Sequence, residues 1–487
     1  MSLRLTPYPA YKDSGLPWFG KVPAHWDVRR QRNVADMLVS NVDKHTVEGE
    51  LPVRLCNYVD VYKNDRITER VAFMRASASP ADVERFRLTP GDVVITKDSE
   101  SWNDIGVPAL VEYSAPDLVC GYHLAILRPR RNVIHGPYLF RAILSQGVAS
   151  QYHVSANGVT RYGLSQDAMK SVIVPLPPLD EQCAIARYLN HADRRMNRLV
   201  RAKRRLIELL NEQKQAIIHR AVTRGLDPNV RLKPSGTDWL GDVPEHWSVT
   251  QLYRVTDPRR PVMYGIVLPG PSVDEGVYIV KGGNCESGRL RPEYLSRTTF
   301  DIEARYARSR LRANDIVYAI RGSIGAAELV PPELVGANVT QDAARIAPGE
   351  GICPRWLLYC VRSRAFFLKL DSGAVGATIR GINIRDLKRA DLAVPPIGEQ
   401  ERIVAHIDAE TLSITDAIDR ARREVDLLRE YRTRLIADVV TGKLDVRGVA
   451  LSPLDDDGAT DEIDAPDGGD AEEMLEAEED GDGEAEA

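Results

Sequence analysis

Polar side chains able to do chemistry recur in this chain where short apolar runs end. TKDSESWND (Thr96–Asp104) closes one such run and offers Lys97, Ser99, Ser101 and Asn103. RGSIG (Arg321–Gly325) closes another and offers Arg321 and Ser323, beside glycines that let backbone approach a ligand closely. GVTRYG supplies Thr160, Arg161 and Tyr162, GATIRG supplies Thr378 and Arg380, and VKGGN adds Lys281 and Asn284. Such side chains donate to phosphate oxygens and to base edges. The chemistry on offer is therefore recognition of a polyanion. That reading rests on the set, since any single member is also an ordinary polar loop residue.

Bond-making chemistry has no comparable signature. A phosphate-cradling G-x-x-x-x-G-K-[ST] loop is missing, because TGKL (Thr441–Leu444) lacks both the first glycine and the final hydroxyl. Neither an Asn-Pro-Pro-Tyr methyl-transfer motif nor H-E-x-x-H occurs. EQK (Glu212–Lys214) has the form of half a nuclease site, but it falls inside a heptad helix where charged outer positions are ordinary. The six cysteines are scattered without zinc spacing and read as free thiols. No catalytic residue and no metal site are expected.

Net charge is −6, yet the distribution is lopsided. Residues 451–487 hold 17 Asp/Glu and no Lys or Arg, so the first 450 carry 64 basic against 53 acidic residues. A basic body with an acidic tail suits a nucleic-acid partner, and the tail's composition predicts disorder. No apolar run reaches membrane-spanning length. The opening MSLRLTPYPAYKDSG has no signal-peptide core, so a cytoplasmic protein is expected.

The elements that must hold these loops are written twice. WFGKVPAHW (Trp18–Trp26) returns as WLGDVPEHW (Trp239–Trp247). GVTRYGLS returns as GATIRGIN, PPLDEQCAIARYL as PPIGEQERIVAHI, and AVTRGLD as VVTGKLD, these three at one offset of 218 residues. So long a period means two copies of a whole module. In each copy a mixed part comes first. DVVITK, GYHLAILRP, DIVYAI and DAARIAPG read as strands; GPYLFRAILS and PRWLLYCVRS read as short helices. A long helix follows. Ala186, Leu189, Asp193, Met196, Val200, Lys203, Ile207, Leu210, Lys214 and Ile217 step by three and four. So do Val404, Ile407, Thr411, Ile414, Ile418, Ala421, Val425, Leu428, Arg432 and Leu435, which is the coiled-coil pattern. A second seam through Ile185, Leu199 and Leu206 suggests a broader apolar face on the first helix. About 40 residues make a rod of roughly 60 Å. The short connection LDPNVRLKPSG favours antiparallel pairing of the two rods. The basic run Arg194–Arg205 is either a solvated face or a surface toward DNA. The Trp, Pro and His of the doubled phrase read as packing residues that dock on the helix ends.

In their order and doubled spacing, these motifs resemble the specificity subunits of type I restriction–modification enzymes, over all but the tail. The resemblance implies an α+β fold with an internal pseudo-two-fold repeat. Target-recognition domains would occupy 1–174 and 231–394, and spacer helices 175–230 and 395–447 would form an antiparallel intramolecular coiled coil. A disordered acidic tail would occupy 448–487. It further implies that each recognition domain reads one half of a split, asymmetric site in double-stranded DNA, and that the helices set the unread gap. Two methyltransferase subunits and two ATP-dependent restriction subunits would be the partners. S-adenosylmethionine, ATP and magnesium would belong to those partners, with no cofactor in this chain. The competing reading is a two-headed scaffold for protein ligands.

Overall fold

The computed structural model describes residues 5–237, 240–371 and 381–451. Thr378, Arg380, Trp239 and nearly all of the acidic tail lie outside the described residues. The chain divides into two compact units, residues 1–202 with 424–487, and residues 203–423. Both are mixed α+β bodies. Two helices, Leu179–Arg224 and Ile397–Val440, each contribute a portion to both units.

In the first unit the central sheet runs Ala35–Val39, Leu124–Pro129, Val93–Thr96, Pro108–Val111, Arg66–Ile67. Its strands are almost continuously apolar because both faces are covered. Val93, Ile95, Ala125 and Leu127 point into one core with the helix Gly136–Leu144. Val94, Leu124 and Ile126 point into a second core against a three-stranded sheet built on Leu51–Cys56. The second unit repeats the scheme. Met263–Tyr264, Ala343–Ile346, Ile316–Ala319 and Ala327–Leu329 form its central sheet in that order. Ile316 and Tyr318 face one core, Val317 and Ala319 the other. Strand registers match as well. Thr96 lies opposite Leu124 as Ala319 lies opposite Ala343, and Cys56 pairs with Cys120 as Val280 pairs with Val339.

The heptad positions of both long helices are buried or half-buried. Ala186, Leu189, Asp193 and Met196 are inside, as are Ile407, Thr411, Ile414, Ile418, Ala421, Val425 and Leu435. The broader face expected on the first helix is used only at its start, where Ile185 is fully buried; further along, Leu199 and Leu206 are 48% and 42% exposed. A narrow stripe suffices where one partner helix covers it. Within the first unit Glu181 meets Arg447 at 3.2 Å and Asp193 meets Arg432 at 3.1 Å, so the two chain directions oppose. Within the second, Lys214 Nζ donates to Thr415 Oγ1 at 2.9 Å and Gly225 lies against Glu399, again in opposite senses.

The doubled phrases explain how each long helix is seated. Glu181 accepts from Trp26 Nε1 at 2.8 Å and from the Tyr8 hydroxyl at 3.2 Å, and faces His25 Nε2 at 2.7 Å. His246 meets Glu399 in the same way at 2.8 Å. Trp26 and Trp247 are buried, whereas Trp18 is 45% exposed. The adjacent glutamines are latches. Gln182 Oε1 accepts from His135 N, and its Nε2 donates to the Val133 and Pro177 carbonyls at 3.1 and 2.8 Å. Gln400 does the same with Cys353 N, Gly351 O and Pro395 O, every partner shifted by 218. Gln182→Ala strands three backbone groups, and is expected to cost about 1–3 kcal/mol of stability in urea unfolding of the full chain. A loss below about 0.5 kcal/mol would show that water replaces the amide.

Candidate nucleic-acid interface

The polar loops sit where the central strands stop, because backbone pairing that ends there must be completed by neighbouring segments. In the first unit Lys97 N donates to His123 O at 3.0 Å and Leu164 N to Lys97 O at 2.8 Å. Tyr162–Gly163 pairs with Asp98–Ser99. Three segments distant in sequence therefore meet at one place.

Their side chains centre on Asp98. Lys97 Nζ donates to it at 2.6 Å, His123 Nδ1 bonds its other oxygen, and Arg161 Nη2 approaches at 3.4 Å. Burial alone would raise the Asp98 pKa, but His123 and Lys97 outweigh it and hold the carboxyl below its usual range. Arg161 also lies 3.1 and 3.2 Å from the two His123 ring nitrogens, with half its side chain in solvent. Thr160, Asn103 and Trp102 are exposed nearby in sequence, with Trp102 edge-on to His153 at 5.6 Å.

Of the residues expected in this unit, Lys97, Arg161 and Tyr162 are brought together, and Ser101 and Asn103 belong to the same loop. Ser99 is buried, with its hydroxyl shared between the Tyr58 hydroxyl at 3.1 Å and Ser101 N at 3.3 Å. It supports the loop from beneath.

In the second unit the corresponding segments surround a cleft of about 780 Å³ lined by Lys281, Arg321, Gln341, Asp342 and Asn383. Ile320 N donates to Asp342 O at 2.9 Å, Ile382 N to Ile320 O at 2.9 Å, and Arg321 bridges Gly381. Gly282 is required here, since a Cβ would lie 2.3 Å from the Arg321 carbonyl oxygen. Asn284 is spent on the loop, accepting from Lys281 N and donating to Tyr294 O. Ser323 donates to Glu286 at 2.5 Å. An adjoining groove of about 880 Å³ shares Asn383 and presents Tyr253, Arg385, Lys388 and Arg389.

Tyr122, His123, Gln341 and Asp342 escaped the sequence reading. They precede the runs LAILRP and AARIAP, and only strand register shows that they flank the loop ends. The basic helix Ile384–Arg389 carried a visible signal, three cations in six residues. Among the described residues no three His, Cys, Asp or Glu are placed to hold a metal ion, and no helix is long and apolar enough to cross a membrane.

The two units match in strand register and gather polar loops of different chemistry at equivalent strand ends. The chain is similar to the specificity subunits of type I restriction–modification systems. Residues 76–209 match the type I restriction modification DNA specificity domain. The EcoBI specificity subunit of Escherichia coli is 27% identical over 315 residues, 63% of this chain and 66% of that one, so the match spans just under two thirds of that relative. The putative MjaX specificity subunit of Methanocaldococcus jannaschii is 22% identical over 434 residues, 88% of this chain and 96% of that one. A solved chain, from work on complex assembly and conformational transition of the type I R-M system, shares the fold. Its TM-score is 0.60 at 17% identity, covering 87% of this chain and 99% of that chain.

Proposed function

We propose that this chain is the DNA-reading subunit of a type I restriction–modification complex. Each unit reads one half of a split, asymmetric site. The long helices pair as an antiparallel intramolecular coiled coil with pseudo-two-fold internal symmetry, and fix the unread gap. The domain limits are those of the repeat, with readers at 1–174 and 231–394. Two methyltransferase subunits and two ATP-dependent restriction subunits supply the chemistry in the cytoplasm, with S-adenosylmethionine, ATP and magnesium bound there. This chain contributes recognition and no catalytic group.

One observation carries the reading. At register-equivalent places the two units hold polar loop clusters that differ in side chain while their backbone bonds coincide. A common frame with divergent loop clusters is what two different half-sites demand.

Duplex binding by the full chain should weaken steeply with salt. A log–log slope of about −5 or steeper corresponds to roughly six phosphate contacts. A flat dependence would remove DNA as the ligand and favour the protein scaffold.

A further inference from the structure

The two loop clusters carry opposite charge at equivalent positions. Tyr162–Gly163 pairs with Asp98 and Ser99, and Gly381 bridges Arg321, so Asp98 and Arg321 occupy corresponding sites. Lys97 N bonds His123 O as Ile320 N bonds Asp342 O, so His123 and Asp342 correspond too. The first unit thus sets an acid on the strand-end loop and a base across from it. In the second unit the order is reversed.

The chemical states of the two pairs differ as well. Asp98 is surrounded by Lys97, His123 and Arg161, and its oxygens are occupied. It positions donors, and each of its oxygens already accepts at least one of them. In the second unit, among the described residues, the Arg321 guanidinium has no side-chain partner and the Asp342 carboxylate accepts only a 3.4 Å contact from the Thr340 hydroxyl. Both line the open cleft, and their backbones are joined by Arg321 N donating to Asp342 O at 3.2 Å. Among the described residues, therefore, an unpaired fork of donors and a carboxylate with spare acceptor capacity line the same cleft.

Resting on the DNA-reading function above, we propose that Arg321 and Asp342 together select one G·C pair in the half-site of the second unit. Guanine presents two acceptors, N7 and O6, which suit an arginine fork. Its paired cytosine presents the N4 amino donor, which suits a carboxylate. No other base pair offers that order of groups on its major-groove edge. The first unit, with its acid already engaged by three donors, presents mainly donors and so reads a different pair.

The test is selection from randomised duplexes by the full chain in its complex, comparing wild type, Arg321→Gln, Asp342→Asn and the double exchange R321D/D342R. Wild type should yield a split motif with an invariant G·C pair in one half. Each single variant should relax that one position by about ten-fold or more and leave the other half unchanged. The double exchange should turn the preferred pair over, from G·C to C·G. Thermal unfolding checks that each variant is folded; if the double exchange is not, the two single variants decide. Equal weakening on every sequence would assign Arg321 to phosphate and overturn the proposal. So would an unchanged motif in the single variants, or a split motif with no invariant G·C. No split motif from wild type would instead sink the DNA-reading function.

Discussion

Asp193→Ala is expected to lower the stability of the first unit by about 3–5 kcal/mol, as breaking a buried ion network does. Asp193 occupies a heptad core position and is buried, with Arg141, only 2% exposed, and Arg432 on either side. The network is closed by further polar groups. Asn190 Oδ1 accepts from Arg141 at 2.7 Å and from Arg66 at 3.0 Å, and Asp65 accepts from Arg432 at 2.6 Å. Removing the carboxylate leaves Arg141 buried with an uncompensated charge. Burial alone would raise the Asp193 pKa, but Arg141 and Arg432 outweigh it, so the folded value lies below the ordinary one. The stabilisation is therefore present above the unfolded value, about 4, and is lost as pH falls through the lower folded value. Urea unfolding of the full chain at neutral and at acid pH measures both effects. A neutral-pH loss under about 1 kcal/mol would show that the network contributes nothing net.

Replacing Arg385, Lys388 and Arg389 together by alanine is expected to flatten the salt slope of duplex binding by about 2–3 and to weaken binding roughly 10²–10³-fold at 0.1 M salt. These three cations lie on one short helix beside the second cleft. At the equivalent offset of 218 the first unit has Asp167, Lys170 and Ser171, with one cation offset by one acid. Lys170→Ala should therefore change the slope by about one at most. If the triple variant kept the wild-type slope while losing affinity, the helix would shape the cleft without touching phosphate.

The long helices were legible because a three-and-four spacing needs no tertiary information. Whether Leu199 and Leu206 would be covered was not, since that depends on how many neighbours a helix has, and one partner left both near half exposed. Asp193 and Arg432 stood out as polar residues on an apolar stripe. Arg141, which completes their network, comes from another helix that no local pattern links to them. In the loop clusters, Lys97, Arg161 and Arg321 were found from loop composition. Ser99 and Asn284 share that composition, but Ser99 is buried and both spend their polar atoms on the loops. Residue type gives the chemistry available, and strand register decides which way it faces.

The split of the first unit bears on the order in which the chain can mature. Thr6 bridges Asp445, the Tyr11 hydroxyl donates to the Gly442 carbonyl, and Leu435, Val439 and Val446 sit in the same core as Tyr8 and Trp26. On the ribosome, residues 203–423 emerge as one uninterrupted stretch. The portion synthesised earliest must wait, its core open on one side, until the segment after residue 423 has been translated.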